Sequence, residues 1–107
     1  MSVNNSQRAV PAPELLETMT GSWVELGTLI APPVIIIFDN LGSAAIEIST
    51  DGGTTTWKTF PAGEALVLDM RANHGNAPNF TFDEGTTFYG NGASGDFSIS
   101  YLYARNN

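Results

Sequence analysis

The residues from Val34 to Trp57 constrain the fold of this chain more than any others. An unbroken apolar run, Val34-Ile35-Ile36-Ile37-Phe38, stops at Asp39-Asn40-Leu41-Gly42. A second run sets Ala44, Ile46 and Ile48 against Ala45, Glu47 and Ser49, and stops at Asp51-Gly52-Gly53 before a third run brings in Trp57. β-Branched residues with period two, punctuated by Asn, Asp and Gly, mark antiparallel strands joined by tight turns. The stretch reads as a β-meander that carries the core. Its first run is apolar on both faces, so it predicts a central strand covered by a second sheet on one side and by an arm or neighbour on the other.

The flanking sequence extends the pattern. Strands are expected at Trp23 to Ile30, Thr56 to Phe60, Ala65 to Met70, Asn79 to Phe82, Thr86 to Tyr89 and Asp96 to Ala104. In the last of these, Phe97, Ile99, Tyr101 and Tyr103 alternate with Ser98, Ser100, Leu102 and Ala104. Pro32-Pro33 breaks the ladder between two strands, because neither residue has an N–H to donate. Pro61-Ala62-Gly63-Glu64 and Asp83-Glu84-Gly85 read as turns. About eight short strands with regular turns predict an all-β protein, an antiparallel β-sandwich of jelly-roll or immunoglobulin-like connectivity. At 107 residues the chain is long enough for one such core without staples, and it has no cysteine to supply a disulfide or a thiolate.

Two units are expected: an N-terminal arm, residues 1–20, and the sandwich, residues 21–107. The arm is polar and then proline-rich, with too little apolar surface to pack alone. Pro13-Glu14 also reads as a helix start, which predicts a short helical turn ending near Gly21. Leu15, Leu16 and Met19 are its apolar anchors, and the expectation is that they order the arm against a neighbouring subunit. Two polar loops, Arg71 to Asn79 and Gly90 to Gly95, are the candidate contact surfaces, with Arg71, Asn73, His74, Asn76 and Asn91 as contact residues.

Charge narrows the function classes. Net charge is -7, and Arg8, Lys58, Arg71 and Arg105 are the only basic side chains. Four scattered cations do not line a phosphate groove, so neither nucleic acid nor an anionic membrane is an expected partner. A surplus of carboxylates favours a basic protein partner. His74 is the only histidine, in a loop without a carboxylate beside it in sequence, and no G-x-S-x-G elbow is present. Asp51 and Asp83 lack the D-x-[DN]-x-[DN]-G spacing of a calcium loop. No catalytic residue, cofactor or metal site is expected. The polar first ten residues do not read as a signal peptide, and no apolar run is long enough to span a bilayer.

Ser49-Thr50-Asp51-Gly52-Gly53-Thr54-Thr55-Thr56-Trp57 resembles an Asp-box, the S-x-D-x-G-x-T-W hairpin, with Trp57 one residue late. That resemblance implies a turn-stabilising role for Asp51 and Gly53 and a packing role for Trp57. The chain after Gly21 is similar in order and style to small β-sandwich virion proteins of tailed bacteriophages. The carriers are the strand ending in Asp39-Asn40, Ile48-Ser49 with Asp51-Gly52, Pro61-Ala62-Gly63-Glu64 and Gly85-Thr86-Thr87-Phe88-Tyr89, followed by a Tyr-rich last strand. The resemblance implies a non-enzymatic capsid decoration protein, a homotrimer or larger ring that binds the major capsid protein and assembles in the host cytoplasm. Head-tail or tail accessory proteins are the neighbouring reading. A carbohydrate-binding or receptor-recognition module is the alternative from another class, with Trp23, Trp57, Tyr89, Tyr101 and Tyr103 as the rings that would stack on sugars.

Overall fold

A computed structural model describes residues 7–70 and 82–106. Among these residues nine antiparallel strands form two sheets. They are β1 (Gln7–Pro11), β2 (Leu15–Thr18), β3 (Val24–Thr28), β4 (Pro33–Asn40), β5 (Ile46–Ser49), β6 (Lys58–Phe60), β7 (Ala65–Asp69), β8 (Thr87–Gly92) and β9 (Asp96–Asn106). One sheet has the order β1-β9-β4-β7, with β2 also on β9; the other has the order β3-β8-β5-β6. The pairing is nested. β2 takes β9, β3 takes β8, β4 takes β7 and β5 takes β6, so the first half of the chain is matched strand by strand with the second half in reverse. The expected all-β sandwich is what the chain forms.

The core lies between the sheets and is aromatic at its centre. Phe38 is fully buried, with ring centroids of Trp57, Phe88, Phe60 and Phe82 at 5.1, 5.5, 5.8 and 6.1 Å. Such tilted and edge-on pairs add roughly 0.5–1.5 kcal/mol each beyond the area they bury. Along β9, Phe97, Ile99 and Tyr101 point into this core as their spacing predicts, and the Tyr101 hydroxyl accepts a hydrogen bond from Ile30 N at 2.9 Å. Asn40 ties the two sheets together at one end. Its Nδ2 donates to the carbonyls of Ala44, Phe60 and Pro61 at 2.9, 3.0 and 3.1 Å, and its Oδ1 accepts from Gly42 N at 2.9 Å.

Three expectations are corrected. Residues 15–18 form a strand and not a helical turn, because Leu15 to Thr18 pair residue for residue with Ile99 to Asp96. A β-ladder with long-range apolar contacts outweighs the weak local preference set by Pro13-Glu14. The arm anchors on its own domain: Leu15 reaches Gly27 of β3, and Met19, 3% exposed, packs over Gly90 and Gly92 of β8. Leu16 alone of the three anchors faces outward, 49% exposed. Finally, Gly90 to Gly92 belong to β8 and not to a loop, which places Asn91 in a strand beside Glu47. The glycines there serve close packing, since a Cβ on Gly92 would stand 2.8 Å from Ile46 and one on Gly90 3.0 Å from the Met19 sulfur. The strand expected at Asn79 to Phe82 falls mostly outside the described residues; Phe82 itself is buried in the aromatic cluster.

Candidate functional site: the outer face of the β9-β4-β7 sheet

The two faces of β4 follow from its sequence. Ile36 and Phe38 point inward and are fully buried, whereas Ile35 and Ile37 point outward. Cross-strand register puts Leu102 and Ser100 of β9 beside Ile35 and Ile37, and Val67 of β7 on the other side of Ile37. Directly opposed residues share a face, so these side chains form one outward surface. Val67 is 60% and Ile37 37% exposed. Ser100 is small among larger neighbours, and the surface dips there into an apolar depression of about 360 Å³ between Pro11-Ala12 and Ile37. The described part of the arm leaves Ile37 and Val67 exposed. It extends the sheet sideways, since β1 and β2 both pair with the edge of β9.

Carboxylates stand at one end of the same face. Asp39 is opposite Ser98, whose hydroxyl donates to Glu14 Oε2, and Thr18 Oγ1 donates to Asp96 Oδ1 at 2.5 Å. An apolar centre with an acidic border suits contact with a protein surface better than chemistry on a small molecule.

A second concavity, a polar groove of about 510 Å³, runs between the Asp51 turn and the Asp83-Thr87 segment. Its polar atoms are largely spent inside the fold. Asp51 Oδ1 accepts from Ser49 Oγ at 2.6 Å and from Thr55 N at 2.9 Å, while Ser49 Oγ accepts from the amides of Asp51 and Gly53 at 3.1 and 3.0 Å. These bonds hold the Asp51 carboxyl below its ordinary value of 3.8, the Ser49 hydroxyl contributing most. Thr86 Oγ1 donates to Asp83 O at 2.7 Å, and the Thr87 and Thr28 hydroxyls meet at 2.8 Å. Gly53 has a φ of +98°, and the indole of Trp23 lies where its Cβ would be. Trp57 hydrogen-bonds through its amide to Ile48 O at 2.7 Å and points its ring into the core. No group of three or more potential metal ligands occurs among the described residues.

The structure therefore distributes the sequence-selected residues. Asp51 and Gly53 meet in the turn; Leu15 and Met19 are inside the fold; Leu16 is on the outer face; Asn91 is half-buried in β8. Arg71, Asn73, His74 and Asn76 lie outside the described residues. Of the rings considered for sugar stacking, Trp57 and Tyr101 are committed to the core and its border, and Trp23 to the Gly53 turn. The apolar depression escaped sequence reading because it is built from three separate segments, although the two-sided apolarity of Val34 to Phe38 pointed to the face that holds it. Comparison with known protein families, with curated proteins and with solved structures found no match to this chain.

Proposed function

We propose that this chain is a non-enzymatic structural protein that works by docking, in the setting its sequence resembles: a capsid decoration protein of a tailed bacteriophage. The observation that carries the reading is the apolar outer face of β9, β4 and β7, where, among the described residues, Ile37 and Val67 stay exposed beside the depression at Ser100. The nested strand pairing is the winding of a jelly roll, the one of the two expected connectivities that we adopt. Viral capsid domains share that winding, and so do lectins, which makes it support at the level of fold and not of site. The commitment of Trp57, Tyr101 and Trp23 to packing favours the virion reading over a sugar platform. An acidic border gains orientation and encounter rate on a lattice with basic patches.

Co-sedimentation with expanded heads built from the major capsid protein of the same virus tests the proposal. Saturable binding at a fixed ratio to capsid subunits is expected. Folded protein that stays in the supernatant at micromolar concentration would overturn it.

A further inference from the structure

The ends of β9 differ in charge. Among the described residues, its last residues, Ala104 to Asn106, pair only with Gln7 to Ala9 of β1, because the ladder with β4 stops at Pro33 and Tyr103. The two strands thus run on as a ribbon. Within it Arg8 stands directly opposite Arg105, both exposed. Like charges directly opposed across a ladder destabilise it. Neither arginine has an ion pair among the described residues, whereas Lys58 has Glu64 at 3.4 Å. In a protein with four basic side chains and a net charge of -7, half the cations are gathered at one exposed spot. At the other end of the strand Asp96 holds Thr18, and two residues further on Ser98 bonds Glu14 and stands opposite Asp39, which gathers three carboxylates at that end. Nine residues at roughly 3.3 Å each separate Asp96 from Arg105, about 30 Å, too far for the two ends to pair within one copy.

We infer that copies of this chain associate head to tail, the Arg8 and Arg105 ribbon of one seating on the Asp39, Asp96 and Glu14 carboxylates of the next. Guanidinium groups pair bidentately with carboxylates, and the contact gives the opposed arginines the counter-charges they lack within the described residues. The two surfaces are different patches, so the contact is heterologous and closes into a ring or continues as a filament according to its rotation. It draws on the acidic border that the capsid reading also uses, but its test contains no capsid, so the two can fail separately.

Charge-swap variants test it by sedimentation velocity at about 0.15 M salt, where charges more than roughly 8 Å apart are screened and contact pairs are not. The wild-type chain is expected to show a mass that rises with concentration above the 11.4 kDa of one copy. Arg8→Glu/Arg105→Glu and Asp39→Lys/Asp96→Lys should each weaken self-association at least about tenfold, and an equimolar mixture of the two should restore it. Circular dichroism melts establish that each variant is folded, and Glu14→Lys/Asp39→Lys replaces the second variant if Asp96 proves necessary for folding. A wild-type chain that stays monomeric, variants that associate as the wild type does, or a mixture that stays apart would each overturn the inference.

Discussion

Within β4, two isoleucines and a phenylalanine share eight residues with opposite outcomes. Ile36 and Phe38 are sealed by the second sheet, while Ile37, one residue away from each, remains 37% exposed with Val67 beside it at 60%. A strand exposes its faces alternately, so burial on one side gives no protection to the other. The comparison teaches that the same apolar run does two jobs. Its inner half stabilises the domain, and its outer half is the exposed apolar surface on which the proposed docking rests.

The largest effect that would sharpen this contrast is on the inner face. Phe38→Ala removes the ring around which four others gather and is expected to destabilise the fold by about 3–5 kcal/mol, read from the urea midpoint. Asn40→Leu comes next. It leaves the Phe60 carbonyl and other groups at the sheet junction without their donor, for roughly 2–4 kcal/mol at about 1–3 per buried group orphaned. Ser49→Ala, in the Asp51 turn, is expected to cost about 1–2 kcal/mol because two amides lose their acceptor.

The smallest effect concerns pH. Asp51 has a folded pKa below its ordinary value, so its carboxylate stabilises the fold above about pH 3.8 and the contribution fades as pH falls through the lowered value. Asp51→Asn should therefore reduce stability at pH 7 and bring the mutant and wild-type melting curves closer near pH 2. A gap that stayed constant from pH 7 to pH 2 would contradict the assignment of that turn to the charged side chain.

Much of the sandwich was legible because period-two alternation is a local signal. Phe97, Ile99 and Tyr101 announce the buried face of β9 by spacing alone, and Asp51-Gly52-Gly53 announces its turn by composition. The arm was read differently from how it folds. Leu15 to Thr18 carry no alternation that outweighs Pro13-Glu14 locally, and their strand exists because β9 offers an edge some eighty residues away in sequence. Gly90 and Gly92 looked like loop residues because the side chain filling their space, Met19, belongs to the arm. The opposed arginines were invisible for the same reason, coming from the two ends of the chain. Pairings that depend on long-range register are not written in any window of sequence, whereas faces and turns are.

The central claim, that the outer half of this apolar run is a docking surface, is tested most directly by the affinity of the Ile37→Thr/Val67→Lys variant for capsid shells. Both positions are exposed enough for the fold to tolerate the change, and hot-spot truncation at an interface centre costs 2 kcal/mol or more. The account predicts that shell binding falls at least about thirtyfold while the variant melts cooperatively, as the wild-type chain does. Wild-type affinity in this variant would contradict it.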